Sequence, residues 1–297
     1  MSKEIIELFG HAPTDLTKPA RLFWDMEACP FIIGKCTKHN HDQSIIYGTC
    51  SVSSRYGDVI ICPNRLYANK YAVIKKIAED AFGTKVPFYF FSEYLENRAK
   101  NNKCVVCLGQ NSGKEVKVGK SLSMDWVLAL IENQKLQEYV GAEVQSIDIT
   151  GNYRDAWHTY KNLPTKKLEK IPTSGHGLNW ANVHKRLIPQ LIRKGLVYSR
   201  SKYVKKGLYF IVPEAVYKKF EEIIGEIPLL SKPNHESITV HAYSLGAAVK
   251  PGTSRDLIVS RTVRFSLDEF SQRFVAGANL PTGEVLDQKV KDILGLK

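Results

Sequence analysis

The sequence predicts an α/β fold with a mixed central sheet flanked by helices, to which a small N-terminal subdomain is attached. Strand-like and helix-like segments alternate from residue 66 onwards, as is typical of α/β domains. The 297 residues, 43% of them apolar, suffice for a large core and an appendage. The N-terminal quarter is irregular and contains four clustered cysteines: Cys29, Cys36, Cys50 and Cys62. We assign residues 1–83 to a metal-binding four-cysteine subdomain and residues 84–297 to the core.

The helices are predicted from apolar residues that recur near the helical period. The first runs from Leu66 to Phe82 and stops at Gly83. A second begins at Trp180, and Pro189 is expected to kink or interrupt it. The remaining predicted helices cover residues 93–101, 153–161, 213–224 and 267–275.

The strands are predicted from short runs of apolar and β-branched residues. The first sixty-five residues are irregular, with short strand-like pieces such as 44–47 and 58–61. Two long strands, 237–245 and 256–265, are predicted to pair. The other predicted strands cover residues 86–91, 104–108, 115–118, 124–131, 139–149 and 208–212.

The four N-terminal cysteines form a candidate metal site, because four thiolates can surround one tetrahedral Zn or Fe. The intervening lengths of six, thirteen and eleven residues do not match paired C-x-x-C knuckles. Separate buried or free thiols are therefore the alternative. His39 and His41 lie between the second and third cysteines and are possible replacements for one thiolate.

Cys104 and Cys107 form a C-x-x-C pair and are rival ligands. They lie in an apolar run predicted to be a strand, where positions 104 and 107 face opposite sides. We therefore interpret both as core cysteines.

The net charge of +12 is concentrated in one segment. Residues 161–210 contain twelve Lys or Arg and one acid, Glu169. This pattern is typical of a protein that binds a phosphate backbone. A solvated basic surface and attraction to anionic lipid are the alternatives, but Gly and Pro interrupt the segment, which favours nucleic acid over lipid.

The chain has no run of about 18 apolar residues, which argues against a membrane span. Its N-terminus lacks the apolar stretch and cleavage site of a signal peptide. We expect a cytoplasmic protein with reduced cysteines.

Asp125 and the triplet Glu143-Val144-Gln145 form a candidate catalytic group. Side chains alternate along a strand, so Glu143 and Gln145 are predicted to share a face, with Asp125 on a neighbouring strand. Two converging carboxylates suit Mg²⁺, which assists phosphodiester hydrolysis. Gln145 is neutral but can position a water by hydrogen bonding. Unrelated surface acids are the alternative.

An ordered set of motifs resembles the NotI-like type II restriction endonucleases, which are nucleases of the PD-(D/E)XK class. The resemblance covers about the first 220 residues. Its motifs are Leu8-Phe9-Gly10-His11, Cys29-Pro30-Phe31, Cys62-Pro63-Asn64-Arg65, Asp125-Trp126, Glu143-Val144-Gln145, the residues Asp148, Gly151 and Tyr153, Asn182-Val183-His184-Lys185-Arg186 and Phe210-Ile211-Val212-Pro213.

The resemblance implies a PD-(D/E)XK-like core in which Asp125 and Glu143 hold Mg²⁺ and Gln145 occupies the usual lysine position. Glu115 lies where the family has an acid and is a candidate additional ligand, or an ordinary strand-end acid. The four N-terminal cysteines would hold one structural Fe, and from the residues alone Zn is equally suitable. Cys50 is the least secure of these ligands.

The resemblance also implies a prokaryotic homodimer that cuts palindromic, GC-rich double-stranded DNA and leaves 5′-phosphate and 3′-hydroxyl ends. A cognate DNA methyltransferase would protect the host genome. Three residues are expected to face the duplex: Asn182, Lys185 and Arg186. A non-catalytic sequence-specific DNA-binding protein and a structure-specific DNA repair nuclease are the rival functions.

Overall fold

The computed structural model describes residues 3–98, 102–118, 122–166, 168–277 and 282–295, and in this part of the chain a seven-stranded sheet forms the centre of the protein. The described strands are β1 Ile5–Leu8, β2 Thr49–Ser54, β3 Gly57–Ile60, β4 Phe88–Phe90, β5 Lys103–Gly109, β6 Val116–Val118, β7 Leu122–Met124, β8 Trp126–Glu132, β9 Lys135–Val144, β10 Ile149–Thr150, β11 Gly177–Leu178, β12 Leu208–Pro213, β13 Ser237–Leu245 and β14 Leu257–Ser266. The described helices are α1 Lys18–Asp25, α2 Ala68–Phe82, α3 Phe91–Asn97, α4 Arg154–Lys161, α5 Trp180–Asn182, α6 Ile188–Ser199, α7 Glu214–Ile224, α8 Leu267–Ala276 and α9 Gly283–Leu294.

The central sheet has the strand order β14-β13-β12-β9-β8-β5-β4. Strand β12 pairs in parallel with both β9 and β13, and β4 is parallel to β5. The remaining neighbours are antiparallel. This arrangement confirms the predicted α/β fold with a mixed central sheet flanked by helices.

Helices cover both faces of the sheet because successive side chains of each strand point to opposite sides. On one face, Ile74 and Ile77 of α2 join a buried cluster that contains Val140 of β9. On the other face, the buried cluster combines residues of α6, α7 and α8 with those of β12 and β13, including Leu191, Phe220, Phe270, Phe210 and Val240. The sheet is therefore the middle layer of three.

The cysteine-containing N-terminal segment is built around a smaller antiparallel sheet of β1, β2 and β3. The fully buried Arg65 donates to both carboxylate oxygens of Glu7 in β1, at 2.9 and 3.0 Å. Arg65 also donates to the carbonyl of Arg255 and lies over the ring of Phe31. These contacts connect the N-terminal segment to the residues before β14. The subdivision at residue 83 stays a prediction.

The predicted helix from Leu66 to Phe82 has a more complex start. A 3-10 turn covers Pro63–Tyr67, and Asn69, Lys70 and Tyr71 then have positive φ angles between 55° and 62°. Trp126 packs edge-on against the ring of Tyr67, which precedes this left-handed segment, and against that of Tyr71, its last residue. The helix ends, as predicted, at Gly83.

Other elements differ from the predicted bounds at their ends. The helix predicted for residues 93–101 covers Phe91–Asn97, and residues 99–101 lie outside the described residues. The predicted strand 139–149 is β9, which begins at Lys135 and ends at Val144. Residues 44–47 form only an isolated bridge between His39 and Ile46. The sequence patterns did not predict α1, β1, β2 or α9.

The helix predicted for residues 180–194 continues to Ser199 through a π turn at Val183–Leu187. Pro189 lies in the first turn of α6, immediately after this π turn. A proline there lacks an N–H and its ring crowds the preceding turn, and a locally widened helix accommodates both effects. The interruption expected at Pro189 is therefore a change of helix type.

Among the described helices, none combines the length and apolar character required to cross a membrane.

Candidate active site

Asp125 lies between two strands that belong to different sheets. Met124 ends β7 of the small β6–β7 ladder, and Trp126 begins β8 of the central sheet. The buried indole of Trp126 donates to the hydroxyl of Tyr67 at 3.1 Å, which fixes the start of β8. Strand β8 begins with Trp126, which pairs with Ala142 of β9. Asp125 directly precedes it, and its carboxylate accepts a hydrogen bond from the backbone N–H of Val144 at 3.0 Å.

Glu143 projects from β9 on the face opposite its neighbours Ala142 and Val144, which join the cluster beneath α2. Its carboxylate contacts the backbone N–H of Asp125, with the nitrogen 3.4 Å from Oε1. The other oxygen, Oε2, accepts a short hydrogen bond from Nζ of Lys194 on α6. The same Nζ lies 3.6 Å from Oδ1 of Asp125. One ammonium group therefore contacts both carboxylates.

Gln145 follows β9 directly and extends its pairing with β12, since its backbone N–H donates to the carbonyl of Ile211 at 3.0 Å. Its side-chain amide lies 3.5 Å from Oδ2 of Asp125. The structure thus places Asp125, Glu143 and Gln145 in one group, as their spacing in the sequence suggested.

The three charged groups of this site differ in exposure. The side chains of Glu143 and Lys194 are only 3% and 10% exposed, whereas that of Asp125 is 29% exposed. Burial raises the pKa of Glu143, and the nearby carboxylate of Asp125 raises it further, while Lys194 lowers it. The site is therefore open to solvent on the side of Asp125 and closed on the side of Lys194.

A cleft opens in front of these residues. One cavity, of about 320 Å³, is lined by Asp125, Gln145 and Glu115, and a second, of about 190 Å³, is lined by Gln145, Asn182 and Arg186. Gln145, Ser146 and Asp148 line both cavities, so the two form one continuous groove. The groove extends from Asp125 and Glu115 to the basic π turn that precedes α6.

Glu115 precedes β6 and faces the same cavity as Asp125. Its carboxylate accepts a short hydrogen bond from Ser123 and lies 3.3 Å from Nζ of Lys117. The hydrogen bond from Ser123 is the main cause that lowers the pKa of Glu115. Glu115 is thus ionised at the edge of the cavity, with two existing partners.

Of the three residues predicted to face DNA, two line the groove and one does not. Asn182 donates to Oδ2 of Asp148 at 3.1 Å and lines the groove, and Arg186 lines it as well. Lys185 is exposed on the same π turn but does not line the groove. Within the basic segment, Lys206 contacts neither cavity: it pairs with Glu138 at 3.1 Å, towards the start of β9.

The four N-terminal cysteines are all buried. Backbone N–H groups point at three of the sulfurs: those of residues 31 and 32 at Cys29, 38 and 48 at Cys36, and 64 and 65 at Cys62. N–H groups in this position stabilise a thiolate, and therefore a thiolate–metal bond. Cys50 differs, because its thiol donates to the carbonyl of Gly48.

The thiols also influence one another electrostatically. Burial raises the pKa of Cys36 to about 12, with further increases from Cys62 and Cys29. Burial likewise raises the pKa of Cys50 well above its ordinary value, and Cys62 and Cys36 add to the effect. A bound cation would favour the deprotonated form of these thiols, because a coordinating thiol loses its proton. Even so, no group of three or more His, Cys, Asp or Glu side chains in the described ranges is arranged as a metal site.

The rival ligands do not join the four N-terminal cysteines. The ring of His39 bonds to the neighbouring carbonyl of Asn40, and both His39 and His41 are exposed. Cys104 and Cys107 are buried in β5, as expected of core cysteines.

Lys194 is the residue of this site that sequence motifs did not reveal, since it lies 51 residues after Glu143. One signal was present. The buried face of α6 contains Leu191, Gly195 and Tyr198, and position 194 falls on the same face at helical spacing. A lysine within an otherwise apolar helix face is uncommon unless it is paired.

Comparison with known proteins identifies no relative: no family model matches the chain, and no curated protein is significantly similar to it.

Proposed function

We propose that this protein is a Mg²⁺-dependent type II restriction endonuclease with a PD-(D/E)XK-like core. The observation that carries the proposal is the convergence of Asp125, which lines an open groove, with the buried carboxylate of Glu143 on β9. The groove continues to Arg186 on a basic π turn. The resemblance to NotI-like enzymes, in the order of its motifs, supports the same function.

The two carboxylates suit a divalent cation, because their oxygens already converge on one cationic group, Nζ of Lys194. Asp125 and Glu143 would hold Mg²⁺, and Glu115 is a candidate third oxygen donor in the same cavity. Bound Mg²⁺ would lower the pKa of an attacking water and offset the charge that develops on the phosphate.

The reaction is hydrolysis of a phosphodiester. The oxygen of water forms a bond to phosphorus, the bond from phosphorus to O3′ breaks, and O3′ takes up a proton. The products are a 5′-phosphate and a 3′-hydroxyl. Gln145 cannot accept a proton at neutral pH, but its amide next to Asp125 is placed to orient the water by hydrogen bonding.

The four N-terminal cysteines would hold a structural Fe or Zn. Burial raises the pKa of Cys29, Cys36 and Cys62, and backbone N–H groups partly offset that rise. A bound metal would supply the remaining stabilisation that the thiolates need. His39, from the loop between Cys36 and Cys50, lines a cavity together with Asp148. The metal would therefore brace a loop beside the DNA groove, away from the reacting phosphate.

The substrate would be palindromic, GC-rich double-stranded DNA bound by a homodimer, because a two-fold dimer presents the same surface to both half-sites. A cognate methyltransferase would protect the host DNA. Sedimentation of the protein with and without a DNA duplex measures the oligomeric state directly.

Plasmid cleavage in Mg²⁺ tests the proposed function. We expect discrete fragments with wild type, and at least about a 100-fold loss of rate with Asp125→Ala and with Glu143→Ala. Glu132→Ala is the matched control, because this acid lies at the opposite end of β8 from Asp125. All four proteins should bind DNA when Ca²⁺ replaces Mg²⁺.

Three results would contradict the proposal. If wild type cuts no DNA of any sequence but shifts it in a gel, the protein is a non-catalytic DNA-binding protein. If it cuts only branched or damaged DNA, it is a structure-specific nuclease. If both alanine variants cut as fast as wild type, the active site lies elsewhere.

A further inference from the structure

We propose that Lys194 is a positioning residue of this active site and supplies, from helix α6, the cation that a Glu-x-Gln motif lacks. The inference rests on the proposed nuclease function and extends it to a residue outside every motif. An ammonium group from another layer of the fold holds the two carboxylates close together.

The burial of Lys194 is the first support. A lysine that is only 10% exposed has lost most of its hydration, so its charge must be compensated by neighbours. Both neighbours that do this are carboxylates of the proposed site, Glu143 and Asp125. Of the Lys and Arg side chains that the structure describes, Lys194 alone forms an ion pair with either acid.

The register between α6 and β9 is the second support. The ring of Tyr198 lies over Gly141, where a Cβ atom would overlap it. Four residues of helix and two residues of strand both advance about 6 Å. Lys194, one turn before Tyr198, therefore lies over Glu143, two residues after Gly141. The contact follows from how the helix docks and needs no special conformation of the lysine.

The chemistry of the motif is the third support. Two carboxylates in contact repel each other, and Gln145 cannot compensate them because its amide carries no charge. Lys117 is occupied with Glu115 at 3.3 Å, and its side chain is 70% exposed. The ammonium of Lys194 is thus the cation that the fold places between the acids.

The test compares Lys194→Met with a matched control, Lys206→Met. Lys206 also makes one partly buried ion pair with β9, through Glu138, but it pairs with neither Asp125 nor Glu143. We expect Lys194→Met to lower the single-turnover cleavage rate in Mg²⁺ by about 100-fold or more, and Lys206→Met to change it less than about threefold. DNA affinity in Ca²⁺ should stay within about threefold of wild type for both variants.

A second measurement needs no cleavage. In EDTA, Lys194→Met should unfold at a lower temperature than wild type, because it leaves a buried carboxylate without a partner. Adding Glu143→Gln to Lys194→Met should raise that temperature again, since a neutral amide needs no counter-ion. Lys194→Arg should regain at least about tenfold of the lost cleavage rate, because it keeps the positive charge.

The outcomes separate the inference from the proposed function. Cleavage by Lys194→Met at the wild-type rate overturns the inference alone. Three other results also overturn it. In the first, Lys194→Met loses DNA affinity as much as cleavage rate. In the second, Lys194→Arg cleaves no faster than Lys194→Met, and in the third, adding Glu143→Gln to Lys194→Met does not raise the unfolding temperature. A wild-type protein that cuts no DNA overturns both.

Discussion

The phenol ring of Tyr198 occupies the space in front of Gly141 that any other residue would fill with its Cβ atom. This contact sets the distance between α6 and β9, and hence the reach of Lys194 to Glu143. Within the described residues, the buried hydroxyl of Tyr198 has no hydrogen-bond partner, so packing alone holds the ring in place.

Gly141→Ala is therefore expected to displace α6 and to separate Lys194 from Glu143. Overpacking of this kind typically lowers the free energy of unfolding by about 1–3 kcal/mol. We also expect slower cleavage, and both effects should be relieved by Tyr198→Leu in the same chain. Urea unfolding and plasmid cleavage measure them, with Gly283→Ala as control because its Cβ would meet open space. A Gly141→Ala protein with wild-type stability and rate would show that the helix is not held at this point.

Arg186→Ala is expected to weaken DNA binding without affecting the carboxylates. Arg186 lines the groove beside Gln145, where it is suited to contact a phosphate or a guanine edge. Loss of one phosphate contact reduces the slope of log affinity against log salt by about 1. Titration of a DNA duplex in Ca²⁺ at several salt concentrations measures that slope. Lys103→Ala, in β5 beside Glu132 at the far end of β8 from Asp125, should leave the slope unchanged. An equal loss in both variants would point to a general charge effect.

Cys62→Ser is expected to lose the bound Fe or Zn and to lower the folding yield before it affects the chemistry. Cys62 is buried, which raises the pKa of its thiol, and backbone N–H groups of residues 64 and 65 partly offset that rise. Elemental analysis of the purified protein measures the metal, and a visible spectrum distinguishes ferric thiolate from colourless Zn. Cys104→Ser, in the core strand β5, should keep its full metal content. A Cys62→Ser protein that is fully folded but inactive would contradict the structural role.

Stability is expected to fall between pH 6.5 and pH 4 because of His241. Burial lowers the pKa of this histidine to about 4, against roughly 6.5 in an unfolded chain. Between these values the unfolded chain binds one more proton than the folded protein, so acidification favours unfolding, by roughly 3 kcal/mol at pH 4.

His241→Phe keeps a ring facing Tyr209, whose ring centroid lies 5.6 Å away, and removes the titrating group. Urea unfolding at pH 7 and pH 4.5 should then show a smaller loss for the variant than for wild type. His235→Gln, at an exposed position, is the control and should behave as wild type. Equal losses for His241→Phe and wild type would place the acid sensitivity in other groups.

Local patterns predicted the parts of this protein that depend on local physics. The strand Ser237–Leu245 and the stop at Gly83 follow from apolar runs and glycine geometry, and both match the structure. The proximity of Asp125 to Glu143 was foreseeable because β8, which Asp125 directly precedes, is followed in the chain by its partner β9; the prediction that Asp125 itself lies on a strand was wrong. Lys194 was not foreseeable in the same way, because its contact depends on how α6 docks on the sheet. The left-handed residues 69–71 and the π turn before Pro189 likewise depend on packing that a periodicity does not encode.

The hydrogen bonds of Arg65 can be completed only late in the synthesis of the chain. Its guanidinium is buried with Glu7, yet one of its acceptors is the carbonyl of Arg255, 190 residues later. A chain growing from its N-terminus has no acceptor at that position until residue 255 has left the ribosome, and an unpaired buried donor is costly. The contact between the N-terminal segment and the residues before β14 is therefore among the last to form during synthesis of the chain.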